Sequence, residues 1–136
     1  MRTYDLVVIG GGSAGLAAAL TAKESETFIK EMVNTFDERR KYMVDFIKGI
    51  KGLTCAEPDG AFYVFIDVSA FYGKSFDGKK IDGSLSFADA LLKKGVAVIP
   101  GVCFGDDNAI RLSSSVAMNE IKEGLKRLKE FTEALV

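Results

Sequence analysis

The chain has 136 residues, 48% hydrophobic and 27% charged, the proportions of one globular domain with its own core and not of a disordered or collagen-like chain. Eighteen Lys and Arg against nineteen Asp and Glu leave a net charge of -1, too balanced to mark nucleic acid or an anionic membrane as a partner. There is no histidine, which removes the commonest metal ligand and the usual neutral-pH general base, and with them every triad that needs one.

Tyr4 to Ile9 form a short apolar run closed by Gly10, Gly11 and Gly12, the pattern of a strand buried on both faces. The run is too short for a membrane span or a signal-peptide core, so a soluble, unprocessed, cytoplasmic protein is expected. From Leu16 to Lys48 there is no Gly or Pro, and Phe28, Ile29, Met32, Val33, Phe36, Met43, Phe46, Ile47 and Ile50 recur at helical spacing. A straight helix of that length would reach about 50 Å, so a bend is expected within Thr21–Thr27, where Thr21 and Glu24 have capping-box spacing.

Pro58-Asp59-Gly60 reads as a turn and Ala61 to Ile66 as a central strand, its aromatic stripe of Phe62, Tyr63 and Phe65 assigned to the core. Residues 69–83 read as a surface loop. A helix over Leu85–Lys94 should stop at Gly95, followed by a buried strand Val96–Ile99, a stop at Pro100-Gly101 and a further strand Ala109–Ser113. A last amphipathic helix starts near Ala117, with Ile121, Leu125, Leu128 and Leu135 on one stripe. Cys55 and Cys103 are too far apart for a CxxC pair and read as buried thiols.

Gly10, Gly12 and Gly15 fit G-x-G-x-x-G between a strand and a helix, a turn whose backbone N–H groups and helix end suit a pyrophosphate. Residues 4–19 resemble the N-terminus of the flavin-dependent disulfide oxidoreductases, the glutathione reductase and dihydrolipoamide dehydrogenase group. The resemblance implies FAD contacts at Gly10, Gly12, Ser13, Ala14 and Gly15. That family's acidic ribose partner and redox CxxxxC are missing. Glu31 and Glu38 lie near the ribose partner's distance but on the periodic helix, where they read as solvated charges.

From about Ala18 onward the chain resembles the C-terminal part of aspartate aminotransferase and related fold-type-I pyridoxal-phosphate enzymes. The resemblance is carried by Phe36-Asp37-Glu38-Arg39-Arg40, Pro58-Asp59-Gly60-Ala61-Phe62-Tyr63, Val96 to Gly101, Phe104-Gly105 and Ile110-Arg111-Leu112-Ser113. It implies that Arg111 binds a substrate α-carboxylate, with Ser113-Ser114-Ser115 departing from the family's usual Ser-aromatic-Ala. The lysine, carboxylate and phosphate cup of pyridoxal-phosphate chemistry belong to a large domain that these residues do not resemble.

Two families joined within a helix imply an engineered chimera, residues 1–22 flavoprotein-like and 23–136 aminotransferase-like. The expected fold is one α/β domain, 1–136, with a mixed sheet that takes in the N-terminal strand, a long bent helix and a C-terminal helix. A chimera made to fold is expected to be no enzyme, to hold neither FAD nor pyridoxal phosphate, and to bind no metal. The alternatives are residual dinucleotide or phosphate binding at the glycine turn, and a truncated aminotransferase domain inactive without its large domain. Self-association or strand exchange between chains is left open.

Overall fold

The computed structural model describes the backbone of residues 26–136 and the side chains from residue 29 onward. The N-terminal strand, the glycine turn and most of the Thr21–Thr27 bend lie outside the described residues. Contacts divide the chain into residues 1–35 and 36–136. Helix α1, Glu26–Lys48, runs through both. In the first unit Ile29, Met32 and Val33 are exposed on α1, and the Thr35 hydroxyl donates to the Glu31 carbonyl at 2.8 Å. Of the expected stripe, Met43, Ile47 and Ile50 are buried and Phe46 half-buried, all in the second unit.

In the second unit, strands β1 (Thr54–Cys55), β2 (Tyr63–Asp67), β5 (Ile99–Pro100) and β6 (Ala109–Ser113) form an antiparallel sheet in the order β1-β2-β6-β5. The strand expected to be central is central. Every described pairing is antiparallel; the parallel component of the expected mixed sheet depends on residues outside those described. Residues 69–83 are more ordered than a plain loop: a 3-10 turn, Ser69–Phe71, leads into a hairpin of β3 (Ser75–Phe76) and β4 (Lys79–Lys80). Phe71 and Ile81, few apolar residues in a polar stretch, anchor that segment in the core.

Helix α2 spans Ser84–Leu92 and α3 spans Met118–Glu133. Both are amphipathic, and Phe87 and Leu91 of α2 join Ile121, Leu125, Leu128 and Phe131 of α3 in one buried cluster with Met43, Ile47, Val64, Ile66 and Ile110. Phe87 and Phe131 meet edge to face at a ring separation of 5.2 Å, a favoured aromatic geometry. The expected buried strand at Val96–Ile99 shrinks to Ile99–Pro100: Ala97 and Ile99 are exposed, and Pro100 has no N–H for a ladder bond. Among the described residues no helix is long and apolar enough to cross a membrane.

Two polar arrangements tie these elements together. Arg40 on α1 donates to the Pro58 carbonyl at 2.8 Å and to Asp37 at 2.7 Å, which fixes the helix to the turn before β2. Hydrogen bonds from Lys41 and then Arg40 hold the Asp37 carboxyl below the usual carboxylate range. That turn places Ala61 at φ +61°, in the left-handed region that favours glycine. At the start of α2, the buried Ser84 donates its backbone N–H and hydroxyl to Asp107 Oδ1 at 3.0 and 2.7 Å, and Val102 N–H donates to the Ser84 hydroxyl at 3.1 Å. Asp107 thus caps α2 from a distant loop, satisfying an N–H that the helix leaves unpaired. Tyr72 donates its hydroxyl to the Asp107 carbonyl.

Asp107→Ala is expected to destabilise the fold by about 1–3 kcal/mol, because it strands the buried Ser84 hydroxyl, while the Ser84 N–H keeps its bond to the backbone carbonyl of residue 107 at 3.1 Å; a urea midpoint lowered at constant slope checks this. The Tyr72 phenol is pushed up to about 12, first by burial and then by Asp107, Asp67 and Asp106. An unfolded tyrosine titrates near pH 10, so between about pH 10 and 12 the folded state holds the extra proton and stability falls as pH rises. Tyr72→Phe should flatten that fall in thermal melts across the window.

Candidate functional site

Arg111 stands in the middle of β6, directly opposite Phe65 of β2 and Ile99 of β5. Opposite residues of an antiparallel pair share a face, and residues two apart along a strand share it too. With Val64, Ile66 and Ile110 turned into the core, Tyr63, Phe65, Ile99, Arg111 and Ser113 occupy the other face. The aromatic stripe is therefore not core: Phe62, Tyr63 and Phe65 are 43%, 37% and 37% exposed. The alternation alone left the buried set open, and the inward positions went to the β-branched Val64 and Ile66.

The Arg111 guanidinium carbon lies 4.2 Å from the centre of the Tyr63 ring and 4.5 Å from that of Phe104, over both rings. Contacts at this distance are cation–π attractions. Arg111 is half-buried, and among the described residues no carboxylate pairs with it and no acceptor takes its N–H groups. Beside it opens a cleft of about 290 Å³ lined by Tyr63, Ala97, Val98, Ile99, Arg111, Leu112 and Ser113. The site is an apolar recess with one permanent cation whose planar fork suits a carboxylate.

A larger cleft, about 530 Å³, holds Lys51, Lys74 and Lys129 beside Glu133. Its cations are mostly engaged: Lys74 donates to the Leu135 carbonyl at 3.2 Å and Lys129 lies 3.9 Å from Glu133. The Arg111 cleft is the better anion site on that ground. Gly10, Gly12, Ser13, Ala14 and Gly15 lie outside the described residues, so the structure brings none of them to Arg111. Glu31 and Glu38 are exposed, as solvated helix charges should be. Among the described residues no group of three or more Cys, Asp or Glu could hold a metal. Sequence reasoning missed Tyr63 and Phe104 as site residues; the available signal was an aromatic face sharing strand register with an arginine.

The family model for aminotransferase class I and II matches residues 6–128. The chain belongs to that aminotransferase family. It is 39% identical over 119 residues to the bifunctional aspartate aminotransferase and glutamate/aspartate-prephenate aminotransferase of Petunia hybrida, covering 86% of this chain and 25% of that protein. It is 35% identical to a probable aspartate/prephenate aminotransferase of Aquifex aeolicus, covering 89% and 29%. The fold superposes on the aspartate aminotransferase of Rhizobium meliloti with a TM-score of 0.82 at 34% identity, over 92% of this chain and 32% of that one. The Thermus thermophilus aspartate aminotransferase with maleate gives 0.71 at 28% identity, covering 86% and 28%.

The chain thus spans about a quarter to a third of the length of these relatives. The expectation of a chain that is no enzyme is corrected by these comparisons, since the relatives and structural neighbours are aspartate aminotransferases.

The two thiols also depart from expectation. Cys103 is exposed and Cys55 only half-buried, both free. Burial, and to a lesser degree Glu57, pushes the Cys55 thiol up against the opposing pull of Lys48, which lowers its thiolate fraction. A chromogenic disulfide reagent should react in two phases of one thiol each, and Cys103→Ser should remove the fast one.

Proposed function

We propose that this chain contributes the carboxylate-recognising part of an aspartate-type aminotransferase, with Arg111 as the group that binds and orients the substrate carboxylate. The observation that carries the reading is Arg111 itself, a half-buried arginine over two rings at the edge of an apolar cleft, with no protein carboxylate among the described residues to neutralise it. The maleate named with the Thermus thermophilus neighbour is a dicarboxylate, the class of ligand such a cation takes. In this role Arg111 forms two parallel N–H···O bonds to one carboxylate, while Ala97, Val98 and Ile99 keep water from that side of the recess.

Pyridoxal phosphate, the cofactor the family implies, supplies an electron sink for amino-group transfer when bound. The residues lining the Arg111 cleft include no lysine for a Schiff base and no carboxylate for a pyridinium nitrogen. They do not fit the group, and the role proposed for Arg111 is carboxylate binding.

For residues 1–22 the proposal is a flavoprotein-like βα piece joined to an aminotransferase-like 23–136, with weak dinucleotide or phosphate binding at Gly10, Gly12, Ser13, Ala14 and Gly15. Its support is the run of residues 4–19. The aminotransferase match already starts at residue 6, so the comparisons favour the aminotransferase domain over the joined origin. The balanced charge supports a protein with no nucleic-acid or membrane partner.

Maleate should shift the NMR signals of Tyr63, Ile99 and Ser113, and Arg111→Lys should weaken that binding at least about tenfold, or about 1.4 kcal/mol, because an ammonium cannot reproduce the fork. Substituting residues 36–136 for the matching segment of the Rhizobium meliloti enzyme should give aspartate-dependent turnover that Arg111→Leu lowers about 10- to 100-fold in kcat/KM. Maleate binding unchanged in Arg111→Leu would sink the assignment.

A further inference from the structure

We propose that Phe104 is a positioning residue for Arg111, acting on the guanidinium and not on the ligand. The inference rests on the carboxylate reading above and goes one residue deeper. Tyr63 lines the cleft, so it can touch what binds there; Phe104 is not among the lining residues, yet its ring centre is 4.5 Å from the guanidinium carbon. Phe104 is also 50% exposed, so the core does not account for a large apolar ring at this place. Its ring meets Arg111 and, edge to face, Phe65 at 6.0 Å between ring centres.

The turn that carries Phe104 is fixed from behind. It is a 3-10 turn, Gly101–Phe104, closed by Gly105 at φ +86°. Asp106 N–H donates to the Gly101 carbonyl at 3.1 Å, Gly105 N–H to the Val102 carbonyl at 3.2 Å, and Val102 N–H to the buried Ser84 hydroxyl. Gly101 admits no side chain, because a Cβ there would collide with the carbonyl oxygens of Asp106 and Ala109. A ring on so constrained a turn has few places to go, and it lies over a long cation that no protein acceptor among the described residues holds.

An arginine side chain has several free rotors, and ordering them on binding costs affinity. Rings over the guanidinium leave its in-plane N–H edge as the open donor surface and remove part of that cost beforehand. The site is thereby made for one planar carboxylate met edge-on. The cleft lining supplies no second cation, so the far end of a dicarboxylate must be met by other groups.

The test follows the Arg111 Nε–Hε NMR signal in the 136-residue protein, with maleate as probe. In the wild type that signal should be displaced by ring currents before ligand is added. Phe104→Leu should remove the displacement and weaken maleate binding about five- to tenfold, with the thermal midpoint little changed for a half-exposed site. Phe104→Tyr should restore both; Phe104→Met serves as a second non-aromatic variant if the leucine variant does not fold. Wild-type binding retained in the leucine or methionine variant overturns the positioning role alone, as does weakened binding that tyrosine does not restore. A wild type whose Arg111 signal does not respond to maleate overturns the carboxylate reading and the positioning role with it.

Discussion

Opposite residues of an antiparallel strand pair share a face, and in β2 and β6 that rule ties the core to the site. Once Val64, Ile66 and Ile110 are committed to the cluster beneath α1, α2 and α3, the register sends Tyr63, Phe65, Arg111 and Ser113 to the other side. A slip of one residue would bury Arg111 among apolar side chains without a partner, an arrangement several kcal/mol uphill. The hydrophobic choice at the inward positions therefore selects the register that presents the cation. Fold and recognition depend on the same five-residue pairing.

Much of this arrangement was legible in the residues. The helix with Ile121, Leu125 and Leu128 inward carries a helical pattern that its burial reproduces, and a strand forms at Ala109–Ser113 as expected, although its burial does not alternate. The aromatic stripe was misread because hydrophobicity does not distinguish a ring that fills a core from one that lies over a cation; both faces of β2 are apolar. The β3–β4 hairpin was missed because its hold on the core is a few scattered side chains, Phe71, Phe76 and Ile81, in a stretch otherwise largely polar. Cys103 departs from the usual burial of a free thiol: it sits on the 3-10 turn Gly101–Phe104, where Gly101 is the buried residue. As for Arg111, its position in Ile110-Arg111-Leu112-Ser113 was readable, whereas the two rings over it come from a different strand and a turn.

Support for the site reaches well beyond it. Asp107 caps α2, accepts from Tyr72 and, through Ser84, fixes the turn that holds Phe104. The same residue thus joins a helix end, the Ser69–Phe71 segment and the site's outer ring. Arg40 on α1 plays a comparable part for β2, bonding the turn from which that strand departs. That link brings together two separated stretches that both carry the family resemblance, Asp37 to Arg40 and Pro58 to Tyr63.

The outer strands have a consequence for solubility. β1 and β5 are two residues each, and Pro100 on β5 has no N–H to offer. A sheet with an open aromatic face would be a hazard if long unpaired strands flanked it, because a neighbouring chain could extend the ladder and stack ring on ring. Within the described residues those flanks present almost no ladder to copy. Such short flanks limit how far a neighbouring chain could extend the ladder along β1 or β5 beside the rings around Arg111.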